Sequence, residues 1–361
     1  MNKGRKNILF TIGSPNQTSQ MHQISRCLPE FESYFSQHFG KHPWVSFGQK
    51  TGILDNAIIG EKSHWKKKAD EYLAKHNLRN DYKAEVYGNE YDIAVMCIDY
   101  LVPKFIRKIK SVLIQEGMID PIRALGKIVK FFRMPGYWAF DTSLMGYSNI
   151  PDLYCVASEG YKEHYIKMGV HPGKIIVTGI PNFDNAEAFR NNDFPHKGYV
   201  MVATSDIRET FRKEDRVSFI KRAVEIAGGR QLLFKLHPNE SKERAEKEIR
   251  ENAPPDSLVF QEGNTNHMIA NCDELVCQYS TIVYLGMALG KKVHSFFDMD
   301  YLRRTMPVQN GGMSAERIAE VVRGYAAFTG NGIEFLKQYK PVWLNENSHR
   351  HTNAQRLVTS S

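Results

Sequence analysis

Short apolar runs recur along this chain, each followed by a longer segment with polar faces. That alternation constrains the fold more than any other feature. Asn7–Ile12, Asp92–Ile98, Lys110–Ile114, Leu153–Ala157 and Lys174–Val177 read as strands. Lys62–His76 and Glu159–Met168 read as helices, and a further helix is expected to run through about Phe39 after a polar loop, Gly13–Gln20. Strands that alternate with helices form a parallel sheet covered on both faces.

The pattern repeats beyond the polar segment Asn182–Lys197, which reads as a linker. Tyr199–Ala203, Gln231–Leu236, Ser257–Phe260, Glu274–Val276 and Val293–Phe296 are the expected strands. Between and after them lie the helical segments Glu214–Ala227, Lys242–Asn252, Thr265–Ile269, Thr281–Leu289 and Ala315–Tyr325, with Gly228 and Gly290 as C-terminal stops. A chain of 361 residues is too long for one ordinary core. The expected α/β architecture is two doubly wound domains, residues 1–190 and 191–333, with 334–361 crossing back to the first as a helix over Glu334–Gln355.

No apolar run approaches the roughly 20 residues that span a bilayer. The first residues read as a strand rather than as a signal peptide. Five cysteines stand singly, without metal-ligand spacing, as expected of reduced thiols in the cytoplasm. The net charge of +8 admits an anionic partner, but basic residues are not interleaved with aromatics in a nucleic-acid-binding pattern, so nucleic acid is not expected.

In doubly wound sheets ligands bind beyond the carboxyl ends of the strands, so motifs there carry the most weight. Lys235-Leu236-His237-Pro238 ends one strand of the second domain. A histidine there either terminates the strand or donates to a phosphate and stabilises charge on a leaving nucleotide. Ser280-Thr281 opens a helix, where hydroxyls cap free amides or, with those amides, hold an anion. Gln115-Glu116-Gly117 ends a first-domain strand, and Glu116 is either a solvated loop carboxylate or a general base. Gln261-Glu262-Gly263 follows another strand, making Glu262 and Gly263 donor-side candidates, and the loop Gly263–Asn266 borders a nucleobase or caps the next helix. Gly13, His22, Gln115 and Gly117 are candidates on the acceptor side, His22 as a second-choice base.

Val156-Ala157-Ser158-Glu159 and Ile176-Val177-Thr178-Gly179 resemble the end of the first domain in the GT-B superfamily, which includes glycosyltransferases and UDP-N-acetylglucosamine 2-epimerases. Glu116-Gly117, His237-Pro238 and Ser280-Thr281 together are similar to motifs of bacterial sialyltransferases and polysialyltransferases, with related arrangements in Kdo transferases and CDP-glycerol glycerophosphotransferases. The sequence departs from the sialyltransferase pattern at Gln115, where an acid is usual.

The resemblance implies Rossmann-like domains, the first on the acceptor side and the second holding the nucleotide donor. It casts Glu116 as base, His237 as the phosphate-binding histidine, and Ser280 with Thr281 as a second phosphate clamp; Lys235 and Pro238 beside His237 are further donor-side candidates. UDP-sugar enzymes of the superfamily commonly carry a glutamate in the helix after the clamp. Ile282–Leu289 has no acid, which favours a cytidine donor linked through CMP or CDP.

The implied activity is inverting transfer, without metal or other cofactor, to a glycan or lipid-linked acceptor in surface polysaccharide synthesis. Sugar-nucleotide epimerisation is the alternative. Pro103–Phe140 alternates basic and apolar residues, which fits either a helix face packed on the sheet or peripheral contact with an anionic membrane.

Overall fold

The computed structural model describes residues 5–39, 43–52, 60–88, 90–120, 122, 124–139, 142–205, 208 and 213–344. Arg123 and Phe140 of the basic segment and residues 345–355 of the expected last helix lie outside this set.

Two compact units divide the chain. One holds the residues up to Val156, Lys162–Thr178, and those from Ala315; the other holds Ala157–Tyr161 and Gly179–Ser314. In the first, β1 (Asn7–Ile12), β2 (Glu32–Gln37), β3 (Arg79–Asn80), β4 (Ile93–Met96), β5 (Lys110–Ile114), β6 (Leu153–Val156) and β7 (Ile175–Val177) form a parallel sheet of order β3-β2-β1-β4-β5-β6-β7. Its helices are α1 (Pro15–Arg26), α2 (Pro43–Thr51), α3 (His64–Lys75), α4 (Ala124–Phe131) and α5 (Glu159–Met168), of which α5 begins in the other unit.

The expected helix through Phe39 is a shorter helix and a strand. Ser14 and Gln17 cap α1 reciprocally and Pro15 occupies its first position, so the helix starts inside the presumed loop. Pro29 lies just beyond α1, and the aromatic-rich Glu32–Gln37 then pairs with β1 from Asn7↔Glu32 to Ile12↔Gln37.

α11 (Ser314–Ala327) was expected in the second domain. Its Ile318, Val321 and Val322 instead join Ile8, Phe10, Val95 and Val112 in the core of the first unit. Two lysines at strand starts help hold it there. Lys110 Nζ donates to the carbonyls of Tyr325 (2.7 Å) and Phe328, and Lys6 Nζ to that of Ala326 (2.9 Å). Cations at a helix C-terminus satisfy carbonyls that have no partner in the helix and complement its dipole. The following α12 (Gly332–Gln338) lies close to the start of β6: a Cβ on Gly332 would sit 2.3 Å from the Asp152 carbonyl oxygen.

In the second unit β8 (Val200–Ala203), β9 (Leu232–Lys235), β10 (Leu258–Phe260), β11 (Glu274–Cys277) and β12 (Lys292–His294) form a parallel sheet of order β10-β9-β8-β11-β12. Its helices are α6 (Arg216–Ala227), α7 (Lys242–Asn252), α8 (Thr265–Asn271), α9 (Val283–Ala288) and α10 (Met299–Thr305). Gly228 adopts φ 56° and ends α6, as its position after the last apolar residue predicts. The core joins Val200, Val202 and Phe234 of the sheet to Phe219, Ile220 and Ile249 of the helices. Both sheets reverse strand order once, between β1 and β4 in the first and between β8 and β11 in the second. Ligands of doubly wound sheets sit beyond the carboxyl ends at that reversal.

Candidate functional site

Each unit carries its own constellation at these strand ends. In the first, Ile12 accepts a bond from His38 N–H (2.9 Å), which extends the β1–β2 ladder one residue beyond Gln37. Gln17, buried on the first turn of α1, then becomes a hub. Its side-chain oxygen accepts from Ser14 N–H (3.2 Å) and lies 3.1 Å from His38 Nε2, while its side-chain nitrogen donates to Glu116 Oε2 (3.4 Å). Because Gln17 offers an oxygen to the ring, His38 Nε2 carries the proton. Burial pushes the His38 pKa down to about 3, so the ring is neutral.

Glu116 follows β5. Burial raises its pKa above the ordinary carboxylate value, an effect offset in part by the Gln17 bond, and burial and the nearby Glu116 together push up the Cys97 thiol. Gln115 anchors this loop. Its N–H donates to Cys155 (3.0 Å), its carbonyl accepts from Gln20 (3.0 Å), and its side chain reaches the Gly117 carbonyl (2.7 Å). Raised carboxyl pKa values of this kind cluster at functional sites, which makes Glu116 a candidate there. His22 is placed otherwise than expected: its ring meets Tyr72 OH of α3 at 3.1 Å and packs against His76, inside a helix–helix contact. Burial, followed by the charges of His76 and Arg26, lowers its pKa.

In the second unit, Thr204 and Ser205 follow β8, His237 follows β9, and Gln278 follows β11. Thr204 Oγ1 accepts His237 N–H (3.1 Å) and donates to Glu240 (2.6 Å), whose own N–H bonds the His237 carbonyl (3.0 Å). Glu240 is buried and paired with Arg216 (2.7 Å), and Arg216 also reaches the Ser205 carbonyl (3.0 Å). Asn239 N–H donates to His237 Nδ1 (3.3 Å), which leaves Nε2 as the ring's N–H in the neutral form. The His237-Pro238 turn is therefore held on both sides by a buried polar network. Ser205 Oγ donates to Gln278 Oε1 (2.7 Å), joining the two strand ends at the reversal.

Lys235 is not aimed outward from the strand end. It is buried, and its ammonium donates to the carbonyls of Gln261 (2.7 Å) and Leu236 (3.0 Å), which clasps β9 to the loop after β10. Burial lowers its pKa, with Glu262 acting in the opposite sense. Glu262 is exposed, Gly263 takes φ +96°, and Asn264 caps α8, so the loop Gly263–Asn266 takes the capping role, one of the two expected of it. Ser280 and Thr281 precede a short helix whose N-cap is Ile282, and neither hydroxyl makes the expected capping bond there. Beside Ile282 a cavity of about 40 Å³ is lined by Asn182, Phe183, Asn266 and Leu285.

Sequence reasoning missed Gln17, His38, Thr204, Glu240 and Gln278. Thr204-Ser205 and Gln278 stand directly after predicted strands and could be flagged by position. Glu240 and His38 could not, because their partners are remote in sequence.

No family model matches the sequence, and no curated protein matches it. Solved structures do. A protein assigned as a UDP-N-acetylglucosamine 2-epimerase of Listeria monocytogenes aligns with TM-score 0.58 at 12% identity, over 91% of this chain and 98% of that one. The S. aureus MnaA–UDP complex aligns with TM-score 0.55 at 11% identity, over 89% and 96%. The UDP-GlcNAc 2-epimerase of Neisseria meningitidis bound to UDP-GlcNAc aligns with TM-score 0.53 at 12% identity, over 88% and 99%. The chain thus shares with these structures a fold built from two Rossmann-type parallel sheets.

Proposed function

We propose that this protein is a sugar-nucleotide enzyme, and specifically an inverting glycosyltransferase or glycerophosphotransferase that works without a metal. A cytidine nucleotide binds at the strand reversal of the second sheet, with its phosphates against His237 Nε2–H and the Ser280 and Thr281 hydroxyls. Glu116 takes the proton of an acceptor hydroxyl as that oxygen attacks the donor, and His237 stabilises the charge that develops on the departing phosphate. Lys235 and Pro238 set the shape of the His237 turn rather than touching the donor. Glu262 and Gly263 lie on the nucleoside side, and Gly13 and Gly117 border the acceptor. The acceptor is a glycan or lipid-linked chain in surface polysaccharide synthesis. The cytoplasm supplies the donor in this reading.

The observation that carries the reading is Glu116, a carboxyl whose loop, hydrogen bond and raised pKa suit proton abstraction. The absence of an acid over Val283–Ala288 supports cytidine over uridine. Epimerisation of a UDP-sugar remains the second reading, favoured by the nucleotides bound in two of the structures of like fold.

A thermal-shift panel of CMP, CDP, UMP, UDP and GDP identifies the donor class, since a ligand of the native state raises its apparent stability. Cytidine nucleotides should stabilise, and H237A should abolish both that shift and transfer. Turnover of UDP-N-acetylglucosamine without an acceptor would replace this reading with the second.

A further inference from the structure

The segment from Ile122 to Ala139 has a helix that is apolar on both sides and covered on one. Gly126 and Val129 of α4 are buried, Val129 in a cluster with Ala139, Leu144 and Met168. Gly126 permits the close approach, since a Cβ there would meet Ser143 Oγ at 3.1 Å. Leu125, Ile128 and Phe131 recur at three-residue spacing on the other side, and Phe132 follows. They are 45%, 49%, 80% and 67% exposed, and Phe131 and Phe132 meet edge to face at 5.0 Å. Trp138, after the helix, is 45% exposed. A helix hydrophobic all round is ordinarily buried, and contiguous exposed apolar surface marks an interaction site.

Charge identifies the occupant. Among the described residues of 122–139 there are three cations, Lys127, Lys130 and Arg133, and no acid. Lys130 reaches the Lys167 carbonyl (3.4 Å), so the cationic end of α5 lies beside the patch. No described helix is long and apolar enough to cross a membrane. α4 itself has eight residues, too few to span a bilayer of about 30 Å at 1.5 Å per residue.

We infer that this face lies on an anionic lipid surface, with Leu125, Ile128, Phe131 and Phe132 entering the headgroup–acyl boundary. Trp138 sits at the interface, and Lys127, Lys130 and Arg133 meet lipid phosphates around it. The surface belongs to the first unit alone, and the inference is independent of the reaction proposed above. A protein partner would need acidic groups facing these cations as well as an apolar surface. A bilayer containing phosphatidylglycerol or phosphatidylserine supplies both at once.

The test is co-sedimentation of the full chain with vesicles of phosphatidylcholine alone or with 30% phosphatidylglycerol. The protein should bind the anionic vesicles and release them as salt rises. K127E should weaken binding roughly fivefold or more, the share of one cation near such a surface. F131S/F132S should weaken it at least tenfold while leaving the thermal melt unchanged, because both side chains are largely exposed. Three results would overturn the inference: no binding to anionic vesicles, equal binding to neutral ones, or binding insensitive to F131S/F132S. Self-association abolished by F131S/F132S, without vesicle binding, would assign the face to a second copy of the chain instead.

Discussion

Replacing Thr204 by valine keeps the shape of the side chain and removes the hydroxyl that links the His237 turn to Glu240. Two bonds disappear, one of 2.6 Å to a buried carboxylate and one of 3.1 Å from the His237 amide. A bond to a charged group contributes about 1.5–3 kcal/mol and a neutral one about 0.5–1.5, so T204V should cost roughly 2–4.5 kcal/mol. The upper half of that range applies if no water reaches the site, because Glu240 is buried and His237 N–H would lose its acceptor. T204S keeps the hydroxyl and should recover most of the loss, apart from the missing methyl. Urea denaturation followed by circular dichroism gives the stability. The thermal shift with the best nucleotide shows whether loosening the turn also weakens binding. If T204V lies within about 0.5 kcal/mol of wild type, the network does not hold the turn. If T204S is as damaging as T204V, the methyl and not the bonds is what matters.

Three further outcomes follow from the first unit. E116Q should lower transfer by about 10²–10⁴-fold, measured as nucleotide release, and the wild-type rate should rise with pH through a value above 4.5. Because burial raises the folded pKa of Glu116, its contribution favours folding at low pH and is lost as pH rises through the folded value. E116Q should therefore match wild type near pH 4 and gain on it towards neutrality in urea titrations. His38 runs the opposite way. Its folded pKa is lowered to about 3, so its contribution is full above its unfolded value near 6.5 and falls away as the solution is acidified towards 3; H38Q should flatten that limb. G332A would place a methyl against the Asp152 carbonyl and Leu153 and should cost about 1–3 kcal/mol, read as a lowered melting temperature; an unchanged melt would refute close docking of α12 on β6.

Strands buried on both faces announce themselves, so Asn7–Ile12 and Lys110–Ile114 have the bounds read from sequence, and most other expected strands agree to within a residue or two. Glu32–Gln37 escaped because its alternating polar residues mimic the face of a helix, and only pairing with β1 distinguishes the two. α11 was legible as a helix but not as part of the first unit. Its apolar face would fit either sheet, and the lysines that hold its C-terminus come from residues more than 200 positions away.

The candidate site divides the same way. Glu116 and His237 stood out because they follow strands, and strand ends can be read locally. Which of their neighbours matter could not be read, since Gln17, His38, Thr204 and Glu240 act through bonds spanning 21 to 99 residues. Lys235 shows the limit most plainly. Its type and position pointed to a phosphate ligand, whereas burial turned its ammonium to two backbone carbonyls. Hydrophobic periodicity and chain length by themselves determined two parallel sheets and the strand ends where chemistry sits. Tertiary structure alone decided which polar groups there are buried, and hence which carry protons, which face outward and which only hold the others in place. Burial and hydrogen-bond partners are properties of the packed fold and not of residue type.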